Sequence, residues 1–131
     1  MSAPSPAVGP RPTILVVEDD QDMRVLVSRL LKPLGEVMTA ANGIEALAVL
    51  RGGTAVSLVV TDVMMPGMDG IKLARTIKDD PILARIPILM LTAKSNPLSV
   101  IEGINAGARQ YLSKPFKADE LVAKARKALA K

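Results

Sequence analysis

The chain of 131 residues contains no cysteine, no histidine and no tryptophan. Without cysteine it forms neither a disulfide nor a thiolate metal site, and without histidine it lacks the commonest transition-metal ligand and general base. Any metal ion that the chain binds must therefore be held by oxygen atoms, which are the ligands that Mg²⁺ prefers. Thiolate and imidazole chemistry are thereby excluded.

Long apolar runs are also absent. No stretch approaches the roughly 20 apolar residues that cross a bilayer, and the N-terminus lacks the charged start and apolar centre of a signal peptide. We therefore expect a cytoplasmic protein with no membrane insertion. Four of the ten prolines lie in residues 1–12, which predicts a flexible tail there and a single folded domain over residues 13–131.

The net charge of +4 comes from the C-terminal end. Residues 114–131 contain six basic and two acidic side chains, whereas residues 1–113 contain eleven of each. Cations near the end of a helix interact favourably with its dipole, so this distribution indicates a solvated helix face, with docking of an acidic partner as the alternative. Because aromatic residues are few and no recognition motif is present, we expect no direct nucleic-acid binding.

Short apolar runs alternate with helical periodicity along the chain, which is typical of repeated βα units and a parallel sheet. The predicted strands are Thr13–Val17, Glu36–Thr39, Ser57–Thr61, Pro87–Leu91 and Arg109–Leu112. The predicted helices begin near Asp20, Gly43, Gly70, Asn96 and Ala118. Helical spacing places Leu26 and Ile44 on inner faces, and Asp20 is the predicted N-cap of the first helix.

The carboxyl ends of the predicted strands carry acids, a hydroxyl and an amine. Glu18 and Asp19 follow the first strand, Asp62 follows the third, Thr92 the fourth and Lys114 the fifth. In open α/β sheets this edge is where ligands bind. The pattern predicts one composite site for a metal ion and a phosphoryl group, and three acids so close together should raise the pKa of at least one carboxyl.

Five motifs, in this order and spacing, resemble the receiver domains of two-component response regulators over residues 13–130. They are Val16–Asp20, Thr61–Gly70, Leu91–Ala93, Gly107-Ala108 and Lys114–Phe116. Each motif is weak alone, and their joint agreement is specific. The resemblance implies a flavodoxin-like α/β fold, a doubly wound parallel (βα)5 sheet with strand order 2-1-3-4-5, for which receivers are a standard example.

The resemblance also implies roles for individual residues. Asp62 would be the phosphoacceptor, which receives a phosphoryl group from a sensor histidine kinase or a histidine phosphotransfer protein. The implied cofactor is Mg²⁺, with Glu18, Asp19, Asp62 and the backbone carbonyl of Met64 as its ligands. A cation is needed because a carboxylate is a poor nucleophile towards a phosphate that is itself negative.

A second set of residues matches the family's switch. Lys114, across an expected cis bond to Pro115, would pair with Asp62 or the transferred phosphate. Thr92 and Tyr111 match the switch threonine and aromatic residue, which would couple phosphorylation to the surface of the fourth helix, fifth strand and fifth helix. We expect a downstream protein target to bind there, and the protein to be a monomer or weak dimer.

An enzymatic alternative is an aspartate-nucleophile phosphohydrolase resembling the haloacid dehalogenase type. Such an enzyme needs a second aspartate two residues after the nucleophile, and Met64 in that position cannot transfer a proton. We therefore expect no enzymatic turnover beyond Mg²⁺-dependent self-phosphorylation from a phosphodonor and slow self-dephosphorylation. Lys94 would shield the phosphoryl group further.

Two non-enzymatic alternatives stay open. A phosphorylation-independent scaffold is the first, although its usual mark, loss of an acid or of the lysine, is not present. The second is a receiver fragment of a larger transcriptional regulator. Relatives of that kind carry paired acids at positions that Arg109 and Gln110 occupy here. The sequence therefore favours a stand-alone receiver that works by protein contact.

Overall fold

The computed structural model describes residues 11–93 and 97–130. The strands are β1 (Thr13–Val17), β2 (Glu36–Ala40), β3 (Leu58–Asp62), β4 (Ile88–Ala93) and β5 (Gln110–Lys114). The helices are α1 (Gln21–Leu31), α2 (Gly43–Arg51), α3 (Gly70–Asp79), α4 (Pro97–Ala106) and α5 (Ala118–Leu129). Every predicted element is confirmed, and no strand end differs from its predicted position by more than two residues. Residues 1–10 of the predicted tail, the shielding residue Lys94 and the predicted helix start Asn96 lie outside the described residues.

The strands pair in parallel in the order β2-β1-β3-β4-β5. This confirms the predicted flavodoxin-like topology. The chain winds outward from β1 in one direction and from β3 in the other, so the strand order reverses between these two neighbours. In such sheets the crevice at the reversal, outside the carboxyl ends of the strands, is the usual ligand site.

Helices cover both faces of the sheet and create two apolar layers. Side chains alternate between the faces along each strand. Leu15 and Val59 face α2 and α3, whereas Ile14 and Val60 face α1 and α5. All five residues of β3 are buried, as expected for a central strand covered on both sides. This rigid centre supports the polar residues at the strand ends.

The prediction that Leu26 and Ile44 are buried in the core is wrong. Leu26 is 43% exposed and Ile44 is 66% exposed. In α1 the sheet is contacted by Val27 and Leu31, which are fully buried, and successive helical residues are rotated by about 100°. Leu26 and Ile44 therefore lie beside the buried stripes of α1 and α2. The sheet contacts a narrower face of each short helix than its apolar residues span.

Side-chain caps begin three of the helices at the carboxyl end of the sheet. The Asp20 carboxylate accepts from the backbone N–H of Met23 at 2.9 Å, which confirms the predicted cap of α1. Asn42 and Asp69 accept equivalent bonds at the starts of α2 and α3. These caps hold the loops around the polar strand ends.

Glycine begins both α2 and α3, and the two positions differ in what a side chain would meet. A Cβ at Gly70 would collide with the backbone carbonyl of Asp62, whereas a Cβ at Gly43 would meet the movable side chain of Met68 at 2.8 Å. We expect Gly70→Ala to lower the free energy of unfolding by about 2–3 kcal/mol, since backbone must shift. Gly43→Ala, the matched control, should cost less than about 1 kcal/mol, because the helix propensity of alanine offsets the contact. Urea denaturation followed by circular dichroism measures both, and equal losses would contradict this account.

Candidate functional site

Three carboxylates meet at the carboxyl ends of the neighbouring strands β1 and β3. The parallel register pairs Val17 with Thr61, so the residues that follow these positions come side by side. Glu18, Asp19 and Asp62 each offer a carboxylate oxygen within 4.8 Å of the others. The structure thus brings together the three acids that the sequence analysis selected.

Glu18 is the most buried of these acids, with only 2% of its surface exposed. Its Oε2 accepts from the backbone N–H of Asp20 at 3.2 Å. Burial, and secondly the negative charge of Asp62, raise the pKa of Glu18 above its ordinary value of 4.5. This direction agrees with the expectation that at least one carboxyl of the cluster has a raised pKa, and burial is a larger cause than crowding of the acids.

Lys114 connects two of the acids. Its Nζ lies 3.0 Å from Asp62 Oδ2 and 3.2 Å from Glu18 Oε1. Burial alone would lower the pKa of Lys114, but the hydrogen bond and charge of Asp62, followed by those of Glu18, raise it overall. The ammonium is therefore held as a cation between two anions. The Lys114–Pro115 peptide bond is cis, as the resemblance implied.

Thr92 lies one residue before the end of β4 and is fully buried. Its Oγ1 has no hydrogen-bond partner among the described residues. A buried hydroxyl without a partner costs about 1–3 kcal/mol, so such a group is unusual in a packed core. The hydroxyl is available to donate to a ligand oxygen bound beside Asp62, whose strand neighbour Leu91 immediately precedes Thr92.

Tyr111 lies in β5, one strand beyond Thr92, and is packed against the apolar layer that includes α3. Its hydroxyl donates to the backbone carbonyl of Ala108 at 3.3 Å. Burial raises the pKa of Tyr111 to about 12. The half-buried ring is thus anchored in place and sits on the strand next to the threonine.

Because Tyr111 is the only tyrosine, its titration can be read directly from phenolate absorbance. We expect a midpoint near 12 in the folded protein and about 10 in urea. Since the folded protein holds this proton more tightly, the associated stability is complete below about pH 10 and is lost as the pH rises towards the folded value. A midpoint in the folded protein close to that in urea would contradict burial of the hydroxyl.

Met64 occupies the loop between Asp62 and α3, and its side chain is 66% exposed. A bond from the Gly70 N–H to the Val63 carbonyl, at 2.9 Å, closes this loop. Met64 follows Asp62 by two residues in this closed loop. Its carbonyl as a metal ligand stays a prediction.

The donor set of the cluster fits Mg²⁺. It consists only of oxygen atoms. The three carboxylate oxygens lie within 4.8 Å of one another, and they must move slightly closer together to bind one ion. Two ligands on opposite sides of one Mg²⁺ are about 4 Å apart, because each Mg–O bond is about 2.0–2.1 Å. Asp19 is exposed, so its side chain is free to make that adjustment.

Sequence analysis missed Arg24, whose Nη1 donates to the backbone carbonyl of Glu18 at 2.8 Å. This bond ties the second turn of α1 to the acidic loop. Arg24 lies four residues after the cap Asp20, on the inner side of the helix. A cation at this position was the sequence signal that could have predicted a bond to the acidic loop. Gly70 was the second omission, because its close approach to Asp62 is visible only in three dimensions.

A family model described as the response regulator receiver domain matches residues 14–126. The chain belongs to this family. The receiver is 41% identical over 113 residues to the phosphate regulon transcriptional regulatory protein PhoB of Pseudomonas aeruginosa, covering 86% of this chain and 49% of that protein. It is 40% identical over 108 residues to Histidine kinase P4 of Formosa agariphila, covering 82% and 8%.

Among solved structures, the receiver resembles the chemotaxis protein CheY4 of Vibrio cholerae, with a TM-score of 0.83 and 34% identity, covering 90% of this chain and 98% of that one. The chain spans half or less of the curated relatives named above. Members of this family act in two-component signalling, interact with histidine kinases and generally bind Mg²⁺ at an acidic pocket such as this one. Within the described ranges, no helix has the length and apolarity needed to span a membrane.

Proposed function

We propose that this receiver is a phosphorylation-controlled switch in which Asp62 accepts a phosphoryl group from a sensor histidine kinase or a histidine phosphotransfer protein. The observation that carries the proposal is the position of Lys114, whose ammonium bridges Asp62 and Glu18 at 3.0 and 3.2 Å. A cation already placed at the nucleophile reduces repulsion of an incoming phosphoryl group. The cytoplasmic location expected from the sequence is part of this proposal.

Each residue of the cluster has a defined task in the transfer. An Asp62 oxygen forms a bond to phosphorus while the bond from phosphorus to the donor's imidazole nitrogen breaks, and the imidazole leaves with that electron pair. Lys114 pairs with the added negative charge. Glu18, Asp19 and Asp62, with the Met64 carbonyl, would hold Mg²⁺, which would supply further charge neutralisation when bound.

The signal would leave the site through Thr92. Its hydroxyl, which has no partner among the residues that the structure describes, donates to a phosphoryl oxygen and moves towards Asp62. Tyr111, on the adjacent strand, would turn inward into the space that this movement opens. This changes the surface of α4, β5 and α5, where a downstream protein binds.

Loading with acetyl phosphate tests the proposal. We expect a mass increase of roughly 80 Da, the size of a phosphate ester, that requires Mg²⁺ and is prevented by EDTA. The adduct should then decay slowly once the donor is removed, because Met64 supplies neither an acid nor an amide to orient water. Intact-mass spectrometry follows both steps. No adduct, or a lifetime of a few seconds, would contradict this proposal.

Met64→Asn should shorten that lifetime at least about tenfold, since positioned polar groups contribute typically 10²–10⁴-fold in proton-transfer catalysis and orientation of water is a weaker effect. Ile82→Asn is the matched control, because Ile82 is also an exposed apolar residue. It lies between α3 and β4, at the amino ends of the strands and away from the acidic site. It should leave the lifetime unchanged. These outcomes test whether the residue at position 64 limits the rate of self-dephosphorylation.

A further inference from the structure

The strand β2 forms one edge of the sheet, and among the residues that the structure describes no strand pairs with its outer side. The Glu36 N–H donates to Pro12 at 2.8 Å, and the Ala40 carbonyl accepts from Glu18 at 3.1 Å. These bonds show that the backbone N–H and C=O groups of residues 36 and 40 point towards β1. Since backbone groups alternate in direction along a strand, the N–H and C=O groups of Val37 and Thr39 point away from the sheet.

A cleft of ≈ 350 Å³ lies between this open edge and α1. Val37 and Thr39 form its floor, and the cations Arg24, Arg29 and Lys32 line its wall. Within residues 11–93 and 97–130, no acidic residue lines it. The cleft thus combines available backbone hydrogen-bonding groups with side-chain cations, and such charges discourage two identical edges from pairing with each other.

A buried hydroxyl adds a polar group to the same wall. Ser28 Oγ is shielded from solvent and has no hydrogen-bond partner in the described part of the chain. It lies on α1 between Arg24 and Lys32.

We propose that this cleft docks an extended acidic segment of another protein, which adds a strand to β2 and directs acidic side chains at α1. The dimensions agree. Arg24 and Lys32 are eight residues apart, which is about 12 Å along a helix, and residues i, i+2 and i+4 of an added strand span about 13 Å. Three acids on one face of such a strand therefore match the length of the cationic wall, while main-chain bonds to Val37 and Thr39 supply affinity.

Charge favours an acidic segment of another protein over two other occupants of the cleft, the N-terminal residues of this chain and a second copy of the chain. Residues 1–10 of this chain contain no acidic side chain, so they offer nothing to the three cations. A second copy that paired edge to edge would bring the same cations to face the first set, and like charges oppose such contact. An acidic segment is the occupant that the cleft favours on both counts.

Titration of the full chain with the peptide acetyl-Glu-Val-Glu-Val-Glu-amide tests this docking. In amide hydrogen exchange we expect the peptide to slow the Val37 and Thr39 N–H groups and to leave Met38, which faces β1, unchanged. The basic peptide acetyl-Lys-Val-Lys-Val-Lys-amide should not bind. Absence of binding at about 1 mM acidic peptide, or equal binding of the basic peptide, would overturn the proposal.

Two pairs of variants separate strand addition from simple attraction of charge. Thr39→Pro removes the outward N–H at a position where an edge strand tolerates proline, and it should abolish binding, whereas Thr39→Val should retain it. The double variant Arg29→Glu/Lys32→Glu should weaken binding at least about tenfold, and Lys72→Glu on α3 should not. Equal binding by Thr39→Pro, with its fold verified by circular dichroism, would show that no strand is added.

Sedimentation supplies the remaining outcome. A dimer of the free chain that Thr39→Pro dissociates would identify a second copy as the occupant and overturn the proposal. None of these measurements requires phosphorylation, so their failure leaves the proposed switch at Asp62 untouched.

Discussion

Replacing Asp62 with asparagine should reduce phosphorylation from acetyl phosphate to background, a loss of at least about 10³-fold, because an amide has no anionic oxygen to attack phosphorus. The fold should survive. The variant keeps the shape of the side chain and retains the Lys114 contact to Glu18 at 3.2 Å. Removing the charge of Asp62 also relieves one of the causes that raise the pKa of Glu18, which offsets the lost ion pair.

The matched control for this variant is Asp69→Asn. Asp69 lies in the same loop and accepts from the Lys72 N–H at 2.8 Å as the cap of α3. Asparagine caps a helix as well as aspartate does, so phosphorylation and stability should both stay close to those of the unaltered chain. Intact-mass spectrometry after loading, followed by peptide mapping, measures the result. An adduct on Asp62→Asn, or one mapped to Asp19, would show that the phosphoacceptor is a different residue.

The acidic site was predictable from sequence because each of its residues follows an apolar strand. Once β1, β3, β4 and β5 are parallel, the topology places Glu18, Asp62, Thr92 and Lys114 at one edge whatever the details of packing. Lys114 ends β5, which β4 separates from β3, so its close approach to both carboxylates depends on the length of its side chain. Residue type and order along the chain were sufficient for this part.

Features that depend on helix rotation were not predictable in the same way. Leu26 and Ile44 have the spacing of core residues but are exposed, because the sheet contacts a stripe narrower than the apolar side of each short helix. The Arg24 bond to Glu18 follows from that same rotation. The hydroxyls of Ser28 and Thr92, which find no hydrogen-bond partner in the described part of the chain, are likewise products of packing, which a one-dimensional pattern does not contain.

Removing Lys114 should destabilise the protein in the absence of divalent cations. Lys114→Met leaves Glu18 and Asp62 facing each other without their shared cation, and loss of one partner from a buried pair costs about 3–5 kcal/mol. The side chain of Lys114 is 25% exposed, so solvent screening reduces this cost to about 2–3 kcal/mol. Urea denaturation at neutral pH with EDTA measures it. Lys72→Met, an exposed lysine on α3, is the control and should change stability by less than about 0.5 kcal/mol.

A double-mutant cycle then identifies repulsion between the acids as the cause. In a Glu18→Gln background one of the two anions is gone, so Lys114→Met should cost at least about 1 kcal/mol less than it does alone. Saturating Mg²⁺ should likewise rescue the single variant, since an ion at 100 times its dissociation constant adds about 2.7 kcal/mol. Additive effects of the two substitutions would show that Lys114 acts through packing of its aliphatic stem.

The pH dependence of Lys114→Met provides the last check on this explanation. The pKa of Glu18 is already raised in the unaltered chain by burial and by Asp62, and loss of the ammonium raises it further. Above the ordinary value of 4.5, the folded variant then binds more protons than the unfolded chain, so its stability must fall as the pH rises through the folded pKa. Acidifying from neutral pH towards pH 5 should therefore recover part of the lost stability in Lys114→Met with EDTA, and the recovery should disappear in the Glu18→Gln background. Stability of Lys114→Met that stays flat over this interval would mean that protonation of Glu18 does not relieve the strain between the two acids.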